Sequence, residues 1–181
     1  MTSVEFYILP SFCNAWPLIS VEVNGQDLWS NHVDHPQTVT VNFAAEETNC
    51  VRIKYLNKRK GPVIWDTMID EHGKIVQDQN CVISEIKVGG SRCDFLLLDL
   101  LYYHEENGTT ESGLYGFMSS RGYYEFEFPQ DVYSWVSNQR KSRMLKNPKK
   151  NSSLDYWTNY MGDSPATDSL IVEIETLLDQ L

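Results

Sequence analysis

Apolar and polar residues alternate with a period of two along most of the first 128 positions, the signature of half-buried β-strands. Val4–Leu9 reads as a strand. Leu18–Val23 places Ile19, Val21 and Val23 on one face, and Asn24-Gly25 then supplies a strong two-residue hairpin signal. In Gln37–Phe43, Val39, Val41 and Phe43 point inward while Thr38, Thr40 and Asn42 face water. Cys50–Leu56 buries Val51, Ile53 and Tyr55 and exposes Arg52 and Lys54. Cys81–Val88, Asp94–Leu98 and Tyr123–Phe128 complete the set; in the last, Tyr124, Phe126 and Phe128 oppose Glu125 and Glu127. Short strands joined by turn-rich loops predict a mainly β protein, an antiparallel β-sandwich of jelly-roll type. Nothing resembles strand–helix alternation, and there is no glycine-rich phosphate loop.

The pattern changes after Pro129. Gln130–Asn138 predicts a short helix seated on the sandwich by Val132, Tyr133 and Trp135. Residues 139–150 are rich in lysine and arginine without an acid, whereas 152–181 carry acids and no base. A terminal helix is expected over 168–181, capped by Asp168 or Ser169. Its Leu170, Ile174, Leu177 and Leu181 form an apolar stripe that must dock on something, because a helix this short is marginal alone. The expected organisation is a sandwich over 1–138, an extended linker over 139–167, and a C-terminal extension ending in the helix of 168–181, whose stripe binds a neighbouring subunit.

Composition narrows the function. With 41% hydrophobic and 12% aromatic residues, the 181-residue chain can fill a core. Its formal charge of −10 disfavours nucleic acid and anionic membrane surfaces as partners. No apolar run is long enough to span a bilayer, and the N-terminus does not read as a signal peptide. Cys13, Cys50, Cys81 and Cys93 are widely spaced without a zinc pattern, so reduced thiols buried on strands are expected.

The densest chemistry lies in Tyr55–Gly90, where a strand runs into a polar excursion and a second strand returns. Asp66, Asp70 and Asp78 lie along it beside Trp65. Calcium takes about six to eight hard oxygens, and these carboxylates with loop carbonyls would supply them if the two arms converge. Trp65, Trp29, Tyr102 and Tyr103 are the candidate aromatic platform for a ligand such as a sugar. Asn31–His35 holds two histidines in a polar loop and reads as surface, as does His104 beside Glu105-Glu106. No hydrolase or metalloprotease motif occurs, so no catalytic residue is assigned and the chain is expected not to be an enzyme.

Asp78–Gly90 (DQNCVISEIKVGG) resembles the closing strand of calcium-dependent xylan-binding-type carbohydrate-binding modules. Ile19–Gly25 and Cys50–Asn57 are similar to that family's earlier strands, so the resemblance covers roughly residues 4–90. It implies a sugar-binding sandwich with Asp78 as the position most like a metal ligand and calcium as the candidate cofactor. The chain departs from the family at Gln79, where arginine is common, and in a longer loop. The whole layout also resembles small proteins of contractile-tailed phages, through Asp66–Gln79 and Gly113–Val136 (GLYGFMSSRGYYEFEFPQDVYSWV). That resemblance implies a virion structural or decoration protein.

The reading is therefore a non-enzymatic β-sandwich for assembly or binding, located in a phage virion, with other protein subunits as partners and glycan as a further candidate ligand. Its first rival is a calcium-dependent carbohydrate-binding module, and its second an acidic inhibitor that mimics nucleic acid.

Overall fold

The computed structural model describes residues 1–59 and 66–146, with 144–146 as backbone only. The chain divides into two compact units, Met1–Val136 and Ser137–Leu181. The first carries β1 (Thr2–Ser11), β2 (Leu18–Val23), β3 (Gln26–His32), β4 (Gln37–Phe43), β5 (Thr48–Tyr55), β6 (Thr67–Ile69) and β7 (Ile75–Asp78). There follow β8 (Asn80–Val88), β9 (Ser91–Arg92), α1 (Phe95–Asp99), β10 (Tyr102–His104), β11 (Thr109–Glu111), β12 (Phe117–Met118) and β13 (Gly122–Pro129). Helix α2 (Val132–Lys146) starts in this unit and runs into the second.

Two antiparallel sheets make a sandwich. The first has the order β12-β8-β1-β4, with β9 beside β8; the second has the order β11-β10-β13-β5-β2-β3. β6 and β7 form a separate hairpin. Alternation drives the burial. Val4, Phe6 and Ile8 of β1 and Val39 and Val41 of β4 line one inner face, and Val51, Ile53 and Tyr55 of β5 with Tyr124, Phe126 and Phe128 of β13 line the other. Burying each such aliphatic side chain contributes roughly 1.5–3 kcal/mol, so the inward sets are the main stabilising term.

The phase slips once in β8, where Cys81 and Ile83 are buried and then Ile86 and Val88. Tyr7 pairs with Glu85 and Ile8 with Ile83, so Ser84 is an extra residue, a bulge that resets which face is inward. The Asn24-Gly25 turn has φ of 51° and 80°, left-handed at both central positions, as a tight hairpin matched to strand twist requires. At Gly122 the reason for glycine differs: a Cβ there would lie 2.0 Å from the Tyr103 carbonyl oxygen.

Three expectations need correction. Asp94–Leu98 is not a strand; Phe95–Asp99 is helix α1, because Leu96, Leu97 and Leu100 bury together at helical spacing. Helix α2 runs on to Lys146, into the stretch read as linker. Its Tyr133 does not seat it, being 80% exposed; Val132, Trp135 and Val136 do, with Trp135 packed 5.4 Å from Phe95 and 6.1 Å from Phe128 between ring centres. The helix starts on Asp131, whose carboxylate accepts from the Ser134 amide at 3.1 Å. The terminal helix of 168–181, with Leu170, Ile174, Leu177 and Leu181, lies outside the described residues, as does Trp65.

Candidate functional site

The end of the second sheet where β5 and β10 finish and β13 begins collects the chemistry. Strand β5 delivers Leu56, Asn57, Lys58 and Arg59 just past its last residue. The Asn57 amide is structural: its Oδ1 accepts from the Leu18 amide at 2.7 Å and its Nδ2 donates to the Trp16 carbonyl at 2.8 Å. The β6–β7 hairpin then closes at its base, where Thr67 pairs with Asp78 and the Gln79 amide donates to the Asp66 carbonyl at 2.8 Å.

Two ion pairs fill this base. Arg59 donates from Nε and Nη2 to the two Asp66 oxygens at 3.1 and 2.8 Å, and its backbone amide adds a bond at 2.8 Å. The Asp66 side chain is fully buried. That burial pushes its carboxyl up, but the Arg59 bonds and the charges of Arg59 and Lys58 outweigh it and hold the group below its ordinary value. Lys58, 2% exposed, donates to the Asp78 carboxylate, to the Gln79 carbonyl at 2.5 Å and to the Asp66 carbonyl at 3.2 Å. The Thr67 hydroxyl also donates to Asp78. Beneath them Tyr55, buried, donates toward the Gln79 carbonyl at 3.1 Å and the Gln79 side-chain oxygen at 2.9 Å.

The expected metal set does not converge. Asp66 and Asp78 come together, each on a cation, while Asp70 sits at the hairpin's far turn. There its carboxylate accepts from the amides of His72 and Lys74, both at 2.9 Å, which is turn chemistry. Among the described residues no group of three His, Cys, Asp or Glu side chains is gathered to hold a metal ion. The described residues around Asp78 therefore do not fit calcium: the oxygens that would bind it face an ammonium instead.

Beside this base, an open cleft of about 650 Å³ is lined by Leu56, Asn57, Lys58, Arg59, Glu106 and Arg121. Arg121 pairs with Glu105 at 3.1 Å. On the outer face of the second sheet, register aligns Ser20, Lys54, Tyr123, Tyr103 and Thr110 across five strands. The half-buried rings of Tyr103 and Tyr123 lie side by side, 4.9 Å between centres and 35° from parallel. One row further along, Arg52 lies over the Tyr123 ring, 5.3 Å from its centre, and pairs with Glu125 and Glu22. Lys54 bridges Glu22 and Asp27. The result is an aromatic pair framed by fixed donors and acceptors.

Of the residues assigned to a ligand platform, Tyr103 is on this face. Tyr102 is not: it is fully buried, with its hydroxyl on the Ser120 carbonyl at 2.5 Å. Adjacent strand residues point to opposite faces, so only one of the two could reach the surface. Trp29 is half-buried and packs on the core from edge strand β3. Tyr123 takes the second place in the pair; its cross-strand partnership with Tyr103 depends on register that no local pattern supplies.

His104 also differs from the expected loop residue. It sits on β10 with its ring nitrogens 2.7 Å from the Ser120 hydroxyl and 3.0 Å from a Glu111 oxygen. Serine, histidine and carboxylate in a chain have the connectivity of a nucleophile and its base. Ser120 is only 3% exposed, however, so a substrate does not reach it in this structure, and the chain of bonds ties β10–β11 to the turn before β13.

No protein-family model matches the chain, and no curated protein matches it. Two solved structures are similar to it. "vCBM60 in complex with galactobiose" is 16% identical with a TM-score of 0.46, over 68% of this chain and 96% of that one. The SeMet form of vCBM60, described with "two families of calcium-dependent carbohydrate binding modules", is 16% identical with a TM-score of 0.49, over 70% of this chain and 90% of that one. Calcium dependence and galactobiose are properties of those proteins. For this chain, the strand pairing itself establishes an antiparallel β-sandwich.

Proposed function

We propose that this protein is a non-catalytic carbohydrate-binding module whose site is the Tyr103–Tyr123 face and the adjoining cleft. The observation that supports it is the Tyr103–Tyr123 pair on the outer face of the sheet: its half-buried rings offer a surface for the apolar face of a sugar, and Lys54, paired across from Tyr123, with Arg121 and Glu106 of the cleft, offers hydrogen bonds to its hydroxyls. The open cleft suits a polysaccharide chain rather than an enclosed small ligand.

Titration calorimetry and affinity electrophoresis against a panel of soluble polysaccharides test this. At least one should bind, and Tyr123→Ala should weaken it by roughly tenfold while leaving the fold intact by circular dichroism. Absence of binding across the panel, or wild-type affinity in both Tyr103→Ala and Tyr123→Ala, refutes the proposal.

A second reading, a subunit of a phage virion or similar assembly, is favoured by the β6–β7 hairpin. Met68, Ile69, Ile75 and Val76 are 44–59% exposed there, beside exposed Phe12, whose carbonyl Gln77 holds at 2.7 Å. Exposed aliphatics gathered on one hairpin are a mark of protein–protein contact. Under that reading Met68→Ser/Ile75→Ser abolishes incorporation into the particle and leaves sugar binding unchanged.

A further inference from the structure

We propose that the Lys58 ammonium is this protein's resident cation, tethered to the chain where a divalent ion would otherwise join the same oxygens, so that the fold is independent of metal. An ammonium has three protons to donate, and Lys58 has three acceptors: the Asp66 carbonyl, the Gln79 carbonyl and the Asp78 carboxylate. Two backbone carbonyls and a carboxylate are the hard oxygen donors that calcium takes. They come from both ends of the β6–β7 hairpin and the start of β8, and Lys58 itself follows β5. One cation thus fastens the exit of one sheet to the entry of the other.

Charge supports the same assignment. The two carboxylates at the hairpin base, Asp66 and Asp78, are each met by a cation, Arg59 and Lys58. No negative charge in these two pairs is left over to draw a divalent ion, and the buried ammonium would repel one. Lysine suits the place better than arginine because its charge is compact and its donors diverge. The consequence holds whether or not the tyrosine face binds sugar, so its failure and that of the sugar reading are told apart by different assays.

The test uses the full chain and thermal melts followed by circular dichroism. The wild-type midpoint should coincide in millimolar calcium and in chelator, since a ligand bound only by the native state must raise it. Lys58→Met, which keeps the stem and removes the charge, should melt lower by on the order of 10 °C. The double variant Lys58→Met/Asp78→Asn should recover part of that loss, because it no longer leaves a carboxylate without its cation. A wild-type midpoint that falls by several degrees in chelator overturns the proposal, and this arm stands even if the variants fail to fold. So does a Lys58→Met midpoint equal to wild type, or a double variant that recovers nothing.

Discussion

Replacing Tyr55 with Phe removes one oxygen from a fully buried polar contact. Tyr55 and Gln79 are both fully buried, and the Tyr55 hydroxyl is 2.9 Å from Gln79 Oε1 and 3.1 Å from the Gln79 carbonyl. Burial pushes that hydroxyl far above its ordinary range, so it is a donor at neutral pH. Phe fits the same space, so no cavity opens. What is lost is a donor for an amide oxygen that water does not reach, which costs about 1–3 kcal/mol rather than the smaller net value of an average hydrogen bond. For a protein of this size that is a fall of about 3–9 °C in melting midpoint.

Urea unfolding of wild type, Tyr55→Phe, Gln79→Met and the double variant measures it, provided the slopes agree. The cost of Tyr55→Phe should shrink in the Gln79→Met background, where the stranded oxygen is gone; the coupling expected is on the order of 1 kcal/mol. A Tyr55→Phe loss below about 0.5 kcal/mol, or the same loss in both backgrounds, refutes the reasoning. The Gln79 amide also donates to the Ala15 carbonyl at 2.8 Å, so Gln79→Met alone has its own cost, which the cycle subtracts.

The thiols should be inert in the native state. Cys13, Cys81 and Cys93 are fully buried, and burial pushes Cys81 up to about 12; burial with the nearby Glu125 charge pushes half-buried Cys50 up to about 11. A disulfide-exchange reagent at mildly alkaline pH should label none of them quickly and all four after denaturation; rapid native labelling of Cys81 refutes this. Acid should weaken the hairpin base through Asp66. Its folded carboxyl lies below the ordinary value, so the native state holds fewer protons than the unfolded chain, and its contribution is present above about pH 4 and lost as pH falls through the folded value. Melting midpoints followed from neutral pH to about pH 3 should fall less steeply in Asp66→Asn; parallel curves refute the assignment.

Wherever one face of a strand is buried, the sequence announces it. Leu18–Val23 and Gln37–Phe43 have the predicted boundaries, and Tyr124, Phe126 and Phe128 are the inward set, because alternation and burial have the same period there. Apolar runs are different. Phe95–Leu101 carries no alternation, and its choice of helix depends on which leucines meet the core. Edge strand β3 is polar along most of its length and exposed, so it leaves no pattern to read.

The site fails in the sequence for a related reason. Asp66, Asp70 and Asp78 look equivalent as spacing, yet each meets a different partner: a guanidinium, a turn's own amides, and an ammonium. Those partners decide the chemistry. Lys58 and Arg59 are adjacent to the excursion in sequence, and the available signal is that three bases, Lys58, Arg59 and Lys60, precede the first acid. The burial of Lys58 is not legible there, because nothing local distinguishes a lysine in solvent from one that is 2% exposed. A carboxylate cluster draws a metal ion most strongly where its charge is left uncompensated. Here Asp66 and Asp78 are matched cation for anion, which makes the hairpin base a clasp.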